Sequence, residues 1–170
     1  TNVMNDEEIR DITKNHIGKA LPYGEEERDI ILQQSRKDNI LKTSSTGRVL
    51  DAVSSLLGLT YYRSYEGEPA MKLEALATKG NTDKFDLRAE IVENNGYYTI
   101  KTSNMLEFLI KTVNKHKNAD IAAFSQKYVV DGLLESVLNI TDDTGIKIVC
   151  LSGGVFVNNY ITSSIIKTLQ

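Results

Sequence analysis

A chain of 170 residues with 41% hydrophobic and 25% charged content has the proportions of a globular protein of one domain or one and a half, with enough apolar material for a sizeable core. A net charge of −3 argues against a nucleic-acid-binding module, which carries a basic face. No apolar run reaches the roughly 18 residues of a membrane-spanning helix, the polar, acidic N-terminus is not a secretory signal, and the single cysteine excludes an internal disulfide and fits a reducing, cytoplasmic setting.

Residues 5–17 place Ile9, Ile12, His16 and Ile17 on one face, with Asp6, Glu7 and Glu8 in the first turn. This is an amphipathic helix with a favourable dipole arrangement, and His16 reads as a packed or half-exposed residue rather than a metal ligand. Leu21-Pro22-Tyr23-Gly24 is a turn. Glu25 to Asp38 predicts a second helix with Ile30 and Ile31 facing inward and its charge run solvated. Thr43 to Thr46 supplies hydroxyls suited to an N-cap. The helix that follows buries Val49, Leu50, Val53, Leu56 and Leu57 and stops at Gly58. Arg48, Asp51 and Ser55 lie on another face. By spacing alone Arg48 and Asp51 make an i,i+3 surface pair worth about 0.2–0.5 kcal/mol.

Pro69 suits the first turn of the next helix, whose buried stripe is Ala70, Leu73, Leu76 and Ala77 and whose end is Gly80. Glu66 and Glu68 stand before it, either stabilised by the helix dipole or facing a ligand cleft. A carboxylate there repels phosphate, so its ligand partner would be a hydroxyl. Asn81 to Lys84 is a polar linker and a subdomain boundary, dividing the chain into 1–80 and 81–170. Phe85, Leu87, Ala89 and Ile91 alternate with charged residues as a half-buried strand. Asn94-Asn95-Gly96 is a hairpin turn, and Tyr97 to Lys101 is the return strand. Ser103 or Asn104 caps a helix carrying Leu106, Leu109, Ile110 and Val113, with His116 structural at its basic end. A long segment, Ala119 to Leu138, follows, and Asp142 to Gly145 turns the chain.

Ile146-Lys147-Ile148-Val149 predicts a buried strand ending at Cys150, read as a buried inert thiol. Ser152-Gly153-Gly154 is then a turn into a helix from Asn158 to Gln170 with Ile161, Ile165 and Leu169 inward. Two glycines at a strand-to-helix break allow close backbone approach to a ligand, and the free N–H groups suit an oxygen-rich or anionic partner. The bland alternative is a turn that needs positive φ. Asn139-Ile140-Thr141 matches a glycosylation sequon by chance. No internal repeat, low-complexity tract, CxxC, HxxxH, HExxH or P-loop occurs, so no tightly bound metal is expected.

Three stretches occur together in order: Ser44-Ser45-Thr46-Gly47-Arg48-Val49-Leu50-Asp51-Ala52 with Leu56-Leu57-Gly58, then Tyr65-Glu66-Gly67-Glu68-Pro69-Ala70 with Leu73-Glu74, then Leu151 to Asn158. The set resembles the C-terminal region of the hydrogenase-maturation carbamoyltransferase family HypF, and more distantly the enzyme that makes threonylcarbamoyladenosine on tRNA. The resemblance implies an α/β fold, part of the two-lobed, RNase-H-like architecture shared by actin, sugar kinases and Hsp70. Residues 1–80 would be a mostly helical subdomain closing on the nucleotide, and 81–170 an incomplete second lobe lacking its final strand and helix. In that family this region sits near the end of a protein several times longer, so a fragment of a larger enzyme is expected.

The implied activity is transfer of a carbamoyl group from a carbamoyl-adenylate, made from ATP on a neighbouring domain. The acceptor would be the C-terminal cysteine of the maturation protein HypE, for the cyanide ligand of a nickel–iron hydrogenase. The implied nucleotide-side residues are Gly47, Asp51, Glu68, Gly153, Gly154 and Asn158, expected to line one pocket. No catalytic base is named. A zinc, iron or magnesium ion would belong only to the full-length enzyme, because the family's metal ligands lie outside this chain. A non-catalytic nucleotide- or partner-binding module of the same fold is the alternative. A small-molecule kinase is a third reading, but its aspartate base and phosphate hairpins are not found.

Overall fold

The computed structural model describes residues 5–37, 39 and 43–170, and the chain forms two compact units that divide between Ser45 and Thr46. In the first, α1 (Asp6–Lys14) opens with a reciprocal cap: Asn5 Oδ1 accepts the Glu8 amide at 3.0 Å and Glu8 Oε2 accepts the Asn5 amide at 2.9 Å. That arrangement satisfies two orphan donors and accounts for the start. The helix α2 (Gly24–Ser35) is tied to α1 by Arg10–Asp29 at 2.9 Å and by an Asp6–Arg36 pair. Its buried residues are Arg28 and Leu32, while Ile30 and Ile31 are exposed. The inward face is therefore turned from the one expected. Arg28 buries its stem and keeps its guanidinium paired with Asp29 at 3.1 Å and Glu25 at 3.6 Å, a long amphipathic side chain taking a place that hydropathy reserves for isoleucine.

The second unit contains α3 (Thr46–Leu56), α4 (Glu68–Ala77), the hairpin β1 (Ile91–Asn94) and β2 (Tyr97–Ile100), α5 (Thr102–Thr112), α6 (Asn118–Thr144) and α7 (Asn159–Leu169). The 27-residue α6 is its spine, with α3, α4, α5, α7 and both strands packed around it. The core joins Leu50 and Val53 of α3, Leu73 of α4, Met105 and Leu109 of α5, Ile121, Phe124 and Tyr128 of α6, and Ile161 and Ile165 of α7. Fully burying each such side chain contributes about 1.5–3 kcal/mol. At Gly80 a Cβ would stand 2.1 Å from the Ala119 carbonyl oxygen, so the end of α4 reaches α6 through a position only glycine fits. No helix among the described residues is long and apolar enough to cross a membrane.

The hairpin is antiparallel, pairing Ile91 with Ile100 and Asn94 with Tyr97. Its turn has positive φ at both Asn95 and Gly96, the geometry that the Asn-Gly pair predicts. The ladder begins only at Ile91. Phe85, Leu87 and Ala89 do pack inward, but this stretch lies along the core without a strand neighbour among the described residues, Phe85 stacking on Phe124 at 4.5 Å and against His116 at 4.6 Å. The structural reading of His116 follows from that contact. The polar stretch at Asn81 is anchored to α6: Asp120 accepts the Asn81 amide at 2.9 Å and pairs with Lys84 at 2.6 Å, which holds the Asp120 carboxyl below its usual range. Lys101, not Ser103 or Asn104, precedes α5. Helix α6 runs on past Leu138 to a left-handed Gly145, so the chance sequon lies within a helix.

The largest departure is at Ile146 to Cys150. These residues form no strand and make no backbone hydrogen bonds to one among the described residues, and Ile148 is 82% exposed. Cys150 is exposed rather than buried. An apolar run becomes a buried strand only where a ladder and covering layers exist. Here one side leans on α7, forming a groove of about 220 Å³ lined by Val149, Leu151, Ile165 and Leu169, and the other meets solvent.

Candidate functional site

The polar face of α3 begins with Thr46 and Gly47 and carries Arg48 and Asp51. Its apolar face is fixed by Leu50 and Val53 in the core, so the second turn presents Asp51 at the margin, 19% exposed. Arg48 Nη2 meets Asp51 Oδ2 at 2.8 Å, and so the i,i+3 pair expected from spacing is present. The 3₁₀ turn Gly154–Val157 packs against α3, with Val155 and Phe156 half-buried on the core. Gly153 has φ +105°, and a Cβ at either Gly153 or Gly154 would meet nothing within 4 Å. The positive φ accounts for the first glycine through backbone conformation; the second faces open space without needing it.

Glu68 is the first residue of α4, behind Gly67 in the left-handed region at φ +82°. Its carboxylate pairs with Lys72 at 2.8 Å and accepts from the Ser64 amide at 2.6 Å and the Ser64 hydroxyl at 2.8 Å. Lys72 first and Ser64 next hold its carboxyl down at about 2. Glu68 thus fastens the loop before α4 to the helix itself. Glu66, two residues earlier, is 79% exposed and pairs with Arg63 at 2.8 Å and Arg48 at 3.6 Å.

Asn158 is buried and caps α7. Its Oδ1 accepts the Ile161 amide at 3.0 Å, and its Nδ2 donates to Gln126 Oε1 of α6 at 2.8 Å. The structure therefore brings Gly47, Asp51 and the Gly153–Gly154 turn onto adjoining elements, sets Glu68 within its own loop, and turns the Asn158 side chain toward α6. A cavity of about 210 Å³ between α4, α6 and α7 is lined by Glu74, Asn159, Tyr160 and Ser163 among others, and by none of those six residues. Gln126, the buried partner of Asn158, escaped sequence reasoning. The available signal was an amide inside the otherwise apolar stretch Ile121 to Val130. Among the described residues no three His, Cys, Asp or Glu side chains converge, so their donors do not fit a metal ion.

Residues 3–170 match the family described as "Carbamoyltransferase, Kae1-like Domain, second subdomain". The probable carbamoyltransferase HypF of Methanocaldococcus jannaschii is 37% identical over 138 residues, covering 81% of this chain and 18% of that protein. The tRNA N6-adenosine threonylcarbamoyltransferase of Thermosipho melanesiensis is 30% identical over 146 residues, covering 82% and 42%. A crystal structure of full-length HypF in the phosphate- and nucleotide-bound form superposes with a TM-score of 0.80 at 29% identity, covering 97% of this chain and 21% of the other. That of T. kodakarensis HypF gives 0.77 at 31%, covering 95% and 22%. The chain thus spans about a fifth of the length of these HypF relatives, and the mixed helix-and-sheet class expected from sequence is the one observed, with helix predominating. Ordered motifs, fold and family match coincide: the chain belongs to the Kae1-like carbamoyltransferase domain family, second subdomain, and represents the C-terminal carbamoyltransferase region of HypF.

Proposed function

We propose that this chain supplies one side of the nucleotide site of a HypF carbamoyltransferase. On this reading the site receives a carbamoyl-adenylate formed from ATP. The acceptor is the C-terminal cysteine of the maturation protein HypE, and the product serves cyanide-ligand assembly for a nickel–iron hydrogenase. The sulfur attacks the carbamoyl carbon, a C–S bond forms, the C–O bond to the phosphate breaks, and AMP leaves with the electron pair. The thiol proton passes to solvent or to a general base. The two-lobed actin and Hsp70-like frame, with residues 1–80 as the closing subdomain, belongs to the same proposal.

The observation that carries the reading is the apposition of the polar face of α3, bearing Asp51, with the open Gly153–Gly154 turn, within a chain of carbamoyltransferase family. Asp51 can accept from ribose hydroxyls, and the turn permits close backbone approach to the ligand. In the polypeptide that carries this chain, Asp51→Ala should weaken nucleotide binding by about 1–3 kcal/mol, the range for a hydrogen bond to a charged group, with little change in stability. Calorimetric titration with ATP measures it. Unchanged affinity in a folded Asp51→Ala enzyme, or no labelled carbamoyl group on a cysteine acceptor, overturns the reading.

A further inference from the structure

The loop between α3 and α4 holds an arrangement that stability does not explain. Glu66 is highly exposed, yet two guanidiniums converge on it, Arg63 Nη1 at 2.8 Å from one oxygen and Arg48 Nη2 at 3.6 Å from the other. Exposed ion pairs of this kind contribute little to folding. Both arginines keep nearly half of their side-chain surface in solvent, at 46% for Arg48 and 45% for Arg63. The scaffold beneath is anchored: Ser64 is held by the Glu68 carboxylate through both its amide and its hydroxyl, and Gly67 turns the chain directly into α4. Arg63 and Glu66 therefore flank a fixed turn, while Glu66 is itself held by exposed ion pairs that water or another anion can replace. Arg48 also meets Asp51, which joins this cluster to the polar face of α3 and, through the packing of α3 on Gly154–Val157, to the open Gly-Gly turn.

We propose that Arg48 and Arg63 form a clamp for a phosphate-type anion, that the Glu66 carboxylate fills the clamp when no ligand is bound, and that the phosphate of an incoming nucleotide displaces it. The identity of the ligand as a nucleotide rests on the function proposed above; the clamp does not. A guanidinium fork matches the geometry of phosphate oxygens and binds them in pairs. A dianion between two arginines gains more than a single carboxylate does, so exchange favours the ligand. In the empty state Glu66 screens the two like charges from each other and raises the threshold that a weakly held anion must pass. The carboxylate that the sequence suggested would repel phosphate is in this arrangement the phosphate's stand-in.

The test uses the polypeptide that carries this chain, with ¹⁵N-labelled arginine side chains, titrated separately with AMP, inorganic phosphate and adenosine. The Nε–H signals of Arg48 and Arg63 should move with AMP and with phosphate but not with adenosine. Glu66→Gln should tighten both anions about 2- to 5-fold, the range corresponding to loss of a competing exposed pair. Arg63→Ala should weaken both by about 5-fold or more. Circular dichroism checks that both variants fold, and both lie on an exposed turn. No movement of either arginine with either anion overturns the clamp, as does a Glu66→Gln variant that binds phosphate no more tightly. AMP that binds no better than phosphate, and is indifferent to Asp51→Asn, sinks the nucleotide reading while the phosphate response upholds the clamp.

Discussion

Replacing Asn158 by alanine removes two hydrogen bonds that lie inside the protein. The first is the cap on α7, Oδ1 to the Ile161 amide at 3.0 Å, and losing such a cap costs about 1 kcal/mol within a range of 0.5–2. The second is the Nδ2 donation to Gln126 Oε1 at 2.8 Å. Gln126 is fully buried, and its stranded carbonyl costs about 1–3 kcal/mol. Together Asn158→Ala should lose about 2–4 kcal/mol, lowering Tm by roughly 6–12 °C for a chain of this size. Urea denaturation followed by far-ultraviolet circular dichroism, without any nucleotide, measures it. Asn158→Asp keeps the capping oxygen, and the Gln126 amide can turn its N–H toward the new carboxylate, so it should recover at least half of the loss. A ligand-free loss below about 0.5 kcal/mol, the range of an ordinary surface substitution, would refute this assignment, as would an aspartate variant no more stable than alanine.

Gly80→Ala and Gly154→Ala should separate packing from access. The first forces a Cβ into the Ala119 carbonyl and should cost about 1–3 kcal/mol by overpacking. The second meets open space without positive φ and should stay within about 0.5 kcal/mol of the parent; equal losses in thermal melts would contradict the contrast. For Glu68, the folded-state carboxyl is lowered from an ordinary 4.5 to about 2 by Lys72 and then Ser64. Its ionised form is therefore the one that folding favours: the contribution is complete above about pH 4.5 and is lost as pH falls through about 2. Glu68→Gln should flatten the acid limb of the stability profile between those values, and an acid limb of unchanged slope would show that the Ser64 and Lys72 contacts do not operate in solution.

The residues whose surroundings are local were the legible ones. The Asn95-Gly96 turn, the apolar stripes of α3, α4 and α7, and the Pro69 helix start follow from backbone preference and periodicity within one segment. What escaped depends on partners distant in sequence. Asn158 carries the motif position expected to meet a nucleotide, yet its amide is engaged by a glutamine 32 residues away. Glu68 looked like a residue ahead of its helix and is instead its buried first residue, closing its own loop. Arg28 displaced Ile30 and Ile31 from the inward face because a guanidinium with two carboxylates in reach can be buried along its stem. Asp51 was placed correctly on the polar face of α3, with its Arg48 partner, since i,i+3 spacing fixes that pair whatever the tertiary context.

The run Ile146-Lys147-Ile148-Val149-Cys150 is exposed and belongs to no strand among the described residues. An unpaired, largely apolar edge is a template for pairing with a second chain, and proteins restrain such edges with charge. Here Lys147 is the single charged residue in the run, a lone gatekeeper whose repulsion fades as added salt shortens the screening length from about 10 Å at 0.1 M to about 3 Å at 1 M.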